Sequence, residues 1–236
     1  VVTLHGSRVD GRYALFQTHG NQWMIHRMDP PADPTREEMP DDLEPAHATP
    51  GSLPDDEDAY GFEIRWSGVR ALAFVDGGRI RLVDDHGTEI SGTFPEIRAM
   101  GRALGVTQVV LDGVLVATGP DGKPDAERMA RRLSVKSDSA VRKLVASVPV
   151  VYMLFDVLWH DGHPTTELSY EERRARLDEL HLDGPAWKVP ATHAGQSALL
   201  DAARAQSLSG VVAKRLDSPY PAGETTPDWI EVRADG

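Results

Sequence analysis

Apolar and polar residues alternate with period two over much of the chain, and the alternating runs come in neighbouring pairs. Within residues 2–28, RYALFQT and QWMIHRM flank the turn signal HGN and predict a β-hairpin. From Tyr60 onward FEIRW, VRALAFVD and RIRLVDD read as a meander, the last two joined by the tight turn Gly77-Gly78. Two longer apolar runs, VVLDGVLVAT and PVVYMLFDVLW, predict buried strands, and the turn HDGH closes the second. GVVAKR and WIEVR predict two more strands near the end. Helical spacing occupies Phe94–Leu104, the basic amphipathic segment AERMARRLS leading to a second helix that ends near Val145, then SYEERRARLDEL, and a stretch near Ser197–Gln206. Ser169 caps SYEERRARLDEL, and Glu172 at the third helical position completes a capping box. Hairpins clustered with helices predict an α+β fold, mainly antiparallel sheets flanked by helices and preceded by a β-hairpin.

Composition divides the chain. The net charge is −12 over 236 residues. Residues 29–58 hold eleven acids against the single base Arg36, interspersed with Pro30, Pro31, Pro34, Pro40, Pro45, Pro50 and Pro54. This segment reads as an extended, partly mobile linker, with Thr35–Met39 as the one place for a short helix. The predicted organisation is therefore a hairpin over 1–28, an acidic Pro-rich linker over 29–58 and a mixed domain over 59–236. Outside the linker the chain is close to neutral. Because phosphate contacts come from Lys and Arg, weak or no autonomous DNA binding is expected. The chain has no cysteine, which excludes a disulfide framework, thiolate chemistry and Cys-ligated zinc. No apolar run is long enough to cross a bilayer and no signal-peptide pattern opens the chain, so the expected location is a reducing cytoplasm with no membrane partner. The opening VVTLHG lacks an initiator Met, as a portion of a longer protein would.

Six segments, in order from about Thr49 to Arg233, resemble the motifs of one family, the nucleotidyltransferase (adenylation) domain of ATP-dependent DNA ligases. EIRWSGVR is similar to the nucleophile loop E-x-K-x-D-G-x-R, and LVDDHGTEISGTFPEI to a segment usually carrying Ser-Arg in place of Asp84 and Asp85. LDGVLVA resembles L-D-G-E followed by an apolar residue and V-A; YMLFDVLWHDG resembles the adenine-stacking strand. SGVVAKRLDSPYPAG resembles E-G-V-V-A-K, and DWIEVR resembles D-W-x-K-x-K. The nearest likeness is to bacterial ligases of non-homologous end joining that carry an N-terminal 3′-phosphoesterase module, and LHGSRVDGRYALFQT with QWMIHRMD resembles the tail of that module.

The resemblance implies a lysine amine that attacks the α-phosphate of ATP to form lysyl-AMP, carboxylates that hold divalent metal, and further lysines on the phosphates. Here the nucleophile position holds Arg65, whose guanidinium stays protonated and lacks the free lone pair of an amine. Ser67, Val114 and Ser209 stand where carboxylates are implied, Glu231 and Arg233 where lysines are implied, and Asp85 where an arginine is. What survives are implied nucleotide contacts: Glu63 and Phe155 for adenine, Arg70 for ribose and Lys214 for phosphate, with Arg233 a milder change that keeps a cation at a nucleotide-binding position. The resemblance with these departures implies a catalytically degenerate adenylation domain, a pseudo-ligase with a structural, interaction or nucleotide-binding role in DNA repair. The alternative is an active ligase that forms the enzyme-AMP intermediate and seals nicks. ATP or AMP is the implied ligand and no metal site is expected. The implied partners are the chain's own phosphoesterase-like module and DNA repair proteins. The family's OB-fold domain has no counterpart in these residues.

Other features read more plainly. His160 and His163 form H-x-x-H in a turn, weighed as turn chemistry against metal ligation. Arg128, Arg131, Arg132, Lys136, Arg142 and Lys143 read as a solvated helix face, with a DNA-backbone contact as the alternative. His5, His19 and His26 read as strand surface.

Overall fold

The computed structural model describes residues 1–6, 9–28, 33–135, 137–193 and 196–234. The chain forms two compact units, Val1–Glu37 and Glu38–Gly236. In the first, β1 (Val2–His5), β2 (Asp10–His19) and β3 (Gln22–Arg27) make an antiparallel sheet in that order. The predicted hairpin is β2–β3, with Leu15 opposite Ile25 and Phe16 opposite Met24. Trp23 and Ile25 of this sheet are exposed.

The second unit runs β4 (His47–Pro50), β5 (Tyr60–Ile64), β6 (Val69–Asp76), β7 (Arg79–Asp84), α1 (Arg98–Leu104), β8 (Val109–Ala117), α2 (Ala126–Leu133), α3 (Asp138–Ser147), β9 (Val150–His160), β10 (His163–Pro164), α4 (Tyr170–Glu179), β11 (Asp183–Gly184), β12 (Trp187–Lys188), α5 (Gln196–Ala205), β13 (Gly210–Arg215) and β14 (Thr225–Arg233). A seven-stranded sheet has the order β11-β12-β9-β8-β6-β7, with β10 also on β9; a four-stranded sheet has the order β4-β14-β13-β5. Pairing is antiparallel except for β12 on β9 and β4 on β14. The α+β assignment from periodicity therefore matches the fold.

Both faces of the large sheet are covered, which explains its near-continuous apolar strands. On β6, Ala71, Ala73 and Val75 join a core with Met100 of α1, Met129 of α2 and Leu177 of α4. Leu72 and Phe74 point to the opposite face, where Trp159, Tyr220 and Trp229 form a second core. A third core, Phe62, Val211, Ala213 and Val232 with Leu199, Leu200 and Ala203 of α5, closes the back of the small sheet. The capping box forms as predicted: Ser169 Oγ accepts from Glu172 N, and Glu172 Oε2 accepts from Ser169 N at 2.9 Å. Among the described residues no helix is long and apolar enough to cross a membrane.

Three details differ from the sequence reading. Thr35–Met39 is not helical; the Asp33 carboxylate takes the Thr35 amide, and Pro34 and Pro40 bracket a segment too short to propagate a helix. The acidic segment is extended but not loose throughout, since Ala46 is fully buried, Met39 and Leu43 pack on the second core, and β4 joins the small sheet. Arg132 is no part of a solvated face: it is fully buried, bidentate to Glu96 and bonded to the carbonyls of Thr93 and Val148. Asp29, Pro30, Pro31, Lys136 and the His19 side chain lie outside the described residues.

Candidate functional site

Period-two alternation on the small sheet sends Phe62, Val211, Ala213 and Val232 backward to α5 and leaves Glu63, Val212, Lys214, Trp229 and Glu231 on the front. The ladder aligns them, with Val212 opposite both Glu63 and Glu231, and Lys214 opposite Trp229. From the large sheet Arg70 of β6 sits opposite Val114 of β8, and Phe155 of β9 lies nearby. These walls, the loop from Arg65 to Gly68, His47 and Ala48 of β4, and Asp85 enclose a cleft of about 250 Å³. That is just below the roughly 300–1,000 Å³ usual for small-molecule pockets. The loop is fixed by close approach: a Cβ on Gly68 would sit 2.1 Å from the Leu115 carbonyl oxygen. Gly210, at φ 141°, receives the Arg65 amide on its carbonyl at 2.9 Å.

Folding thus brings Glu63, Arg65, Arg70, Asp85, Val114, Phe155, Lys214 and Glu231 into one cleft. Ser67, Ser209 and Arg233 line a second, more open cleft of about 640 Å³, and Arg65 lines both. Sequence reasoning missed His47, Arg174 and Arg204. The first sits in the segment read as linker, and the other two lie on helix faces whose charge pattern is that of ordinary solvated surface.

The Glu63 end is a closed network. Lys214, 2% exposed, places Nζ 2.9 Å from Glu63 Oε2, an ionic contact off the angle of a well-formed hydrogen bond. Rings of Phe155, Trp229 and Tyr170 surround the same ammonium at 4.2, 4.5 and 5.0 Å. Tyr170 OH donates to Glu63 Oε1 at 2.7 Å and Arg174 Nη1 approaches it at 3.3 Å. Burial, and then the Glu63 charge, push the Tyr170 hydroxyl well above the ordinary phenol range. Burial opposes the Arg174 charge most strongly, but Glu63, Tyr170 and Asp178 together outweigh it and leave that guanidinium raised.

Arg70 is committed as firmly. Its Nε and Nη2 donate to the two oxygens of buried Asp112 at 2.6 Å each, and Nη2 also reaches the Ala46 carbonyl at 3.2 Å. Tyr220 OH donates to Asp112 at 2.6 Å and accepts from Ala46 N at 2.9 Å, which ties β4 to the site. Burial works against the Arg70 charge and Asp112 reverses the balance, so the group stays protonated. Arg70 also lies 4.5 Å from the Phe155 ring centroid, so Phe155 carries two cations of the protein itself.

The Arg65 end differs. Arg65 Nε pairs with Glu231 Oε1 at 2.9 Å, and Arg233 Nε reaches the same oxygen at 3.3 Å. Ser209 Oγ donates to the Arg65 carbonyl, so this hydroxyl serves the backbone of the loop. Among the described residues no group of three or more His, Asp or Glu is placed to hold a metal. His160 and His163 pair across the β9–β10 turn, where Asp161 and Gly162 take φ of 45° and 95°, as a two-residue hairpin turn requires. A metal-bound triphosphate does not fit this donor set: Ser67, Val114 and Ser209 offer no carboxylate, and Glu231 sets a negative charge beside Arg65.

The chain matches the family model described as the ATP dependent DNA ligase domain over residues 50–233. It is 34% identical to the multifunctional non-homologous end joining protein LigD of Mycolicibacterium smegmatis, covering 98% of this chain and 28% of that protein. It is 33% identical to the multifunctional non-homologous end joining DNA repair protein LigD of Mycobacterium tuberculosis H37Rv, covering 98% of this chain and 29% of the relative. The chain thus spans less than a third of the length of these curated relatives. Its backbone is similar to mycobacterial DNA ligase D complexed with ATP and MES, with a TM-score of 0.69 and 29% identity over 81% of this chain and 60% of that one. It is equally similar, at a TM-score of 0.68, to the ligase domain of M. tuberculosis LigD.

Proposed function

The chain belongs to the ATP-dependent DNA ligase domain family, and from that membership we propose that it is a catalytically degenerate adenylation domain, retained as a structural or interaction module in DNA repair by end joining. The observation that carries this reading is the Arg65–Glu231 ion pair at 2.9 Å. A nucleophilic amine at position 65 must lose its proton and attack phosphorus. A guanidinium keeps its proton at every working pH, and a carboxylate bound to it stabilises that charge further while repelling a phosphate. Ser209 bonded to the loop backbone and Val114 on the wall support the same reading, because neither side chain can recruit a metal.

In this reading Glu63, Arg70, Phe155 and Lys214 hold β5, β6, β9, β13 and α4 together. Residues 1–28 are the tail of a phosphoesterase-like module, 29–58 the connection, and 59–236 the adenylation domain, all in the cytoplasm. The exposed Trp23 and Ile25 support the first assignment, since they offer a neighbouring module an apolar face.

Incubating the protein with α-labelled ATP and Mg²⁺ or Mn²⁺ tests the reading against that of an active ligase. No acid-labile AMP adduct and no sealing of a nicked duplex are expected; an adduct would overturn it. A second reading, nucleoside binding without turnover, is favoured by the convergence of Glu63, Arg70, Phe155 and Lys214 on one cleft. Thermal shift separates the two, since a ligand at a hundred times its Kd adds about 2.7 kcal/mol. No shift with adenosine, AMP or ATP leaves the structural role.

A further inference from the structure

The cleft between the two sheets carries three permanent cations, and each is already bound to a carboxylate. Lys214 lies 2.9 Å from Glu63, Arg65 lies 2.9 Å from Glu231, and Arg70 makes two bonds of 2.6 Å to Asp112. Arg174 and Arg233, from outside the lining, come to Glu63 and Glu231 as well, at 3.3 Å each. Asp85 adds a carboxylate to the wall with no such match. Among the described residues its one ionic contact is the His86 ring, 3.8 Å away. A phosphate entering this cleft must break one of the pairs or stand unmatched beside Glu231 and Asp85, and either course costs free energy.

The same carboxylates suit a different ligand. Both ion pairs of Glu231 use Oε1, and Oε2 accepts no hydrogen bond among the described residues. An ionised carboxylate only accepts, so it takes a hydroxyl donor and repels a phosphate oxygen. Glu63 and Glu231 flank Val212 on the ladder, two strand spacings or roughly 10 Å apart. Val212, with Ile64, Trp66, Val114 and Phe155, gives the space between them an apolar lining. A volume of about 250 Å³ is at the small end for ligand pockets, room for one ring system with a short polar end.

We propose that this cleft takes an uncharged nucleoside and turns away its phosphorylated forms, with Glu231 and Asp85 accepting from the ligand hydroxyls and setting the selection. The proposal rests on the second reading above, nucleoside binding without turnover, and adds ligand charge as the selecting feature. A dianion meets a carboxylate at either end of the cleft, so the selection holds whichever way the ligand lies.

The test is calorimetric titration of the whole chain in EDTA at fixed ionic strength. Adenosine, AMP and 5′-amino-5′-deoxyadenosine are compared, since they differ in charge at a single position. Adenosine is expected to bind, AMP about tenfold more weakly or worse, and the amino analogue at least as tightly as adenosine, because the Coulomb term changes sign along the series. Glu231→Gln keeps the shape and removes the charge. It is expected to cut the preference for adenosine over AMP about threefold or more, and Asp85→Asn to cut it less, since Asp85 is the more exposed. Circular dichroism checks that each variant is folded.

Failure of all three ligands to bind would refute the nucleoside reading and the proposal with it. Binding of adenosine with AMP equally tight or tighter overturns the selection alone and leaves the nucleoside reading in place. An amino analogue that binds about as weakly as AMP overturns it too, because the ligands would then be sorted by size and not by charge. So does an unchanged preference in folded Glu231→Gln.

Discussion

At the Glu63 end of the cleft every charge is matched inside the fold; at the Arg65 end the charges stand half in solvent. Glu63 and Lys214 are 6% and 2% exposed, with three aromatic rings around the ammonium and a tyrosine hydroxyl and the Arg174 guanidinium on the carboxylate. Arg65 and Glu231 leave 28% and 21% of their side chains exposed, and Arg233 leaves 64%. The same two sheets build both ends. The difference lies in what a substitution costs. Replacing one member of the buried network strands an unpaired charge in an apolar box, whereas a partly wet position tolerates a new residue if one neighbour changes with it. In the proposed reading Arg65 with Glu231 is such a joint change relative to the two lysines that the family resemblance implies. On this account the nucleoside-side residues persist because they carry the fold, and the phosphate-side residues were free to drift.

The largest effect expected from this contrast is at Glu63. Glu63→Ala should destabilise the domain by about 3–5 kcal/mol, because Lys214 and Arg174 lose their common counterion while still buried. Urea denaturation measures it, and a loss below 1 kcal/mol would erase the contrast between the two ends.

The buried tyrosines give a second measure. Burial is the leading cause that pushes Tyr152, Tyr170 and Tyr220 well above the ordinary phenol value. The folded state therefore holds these protons more tightly than the unfolded chain does. The resulting stability is complete below the unfolded pKa of about 10 and is lost as pH rises beyond it, at about 1.4 kcal/mol per pH unit for each tyrosine. Tyr170→Phe should remove one such contribution from the alkaline slope. An unchanged slope would place Tyr170 outside the buried network.

The smallest expected effect lies at the other end. A double-mutant cycle on Arg65→Ala and Glu231→Ala should return a coupling of about 1 kcal/mol or less, in the range of partly exposed pairs. A coupling of several kcal/mol would show that the pair is as structural as Glu63–Lys214.

The sequence made some of this visible and hid the rest for physical reasons. Alternating runs located β5 to β7, two continuous apolar runs located β8 and β9, the segments GVVAKR and WIEVR located β13 and β14, and the Ser169–Glu172 box marked the start of α4 within a residue. β4 was invisible because HATP neither alternates nor carries apolar weight. Its place depends on β14, on Tyr220 and on Arg70, all distant in the chain. Arg132 looked like one more charge on a basic helix, and only the position of Glu96 and two free carbonyls explains its burial. Glu63, Arg70, Phe155 and Lys214, named from the motif positions, line one cleft. The pairing of Arg65 with Glu231 could not be read from spacing, since it depends on two ladders that bring β5 and β14 to either side of β13.

The account stands or falls on whether the phosphate side was lost as a set or at one residue. Labelling of Arg65→Lys with α-labelled ATP and Mg²⁺ or Mn²⁺ decides this. With Ser67, Val114, Ser209 and Glu231 unchanged, no covalent AMP adduct is expected. An acid-labile adduct on that single variant would contradict the account, because it would mean that one amine suffices in a cleft described here as stripped of the means to use it.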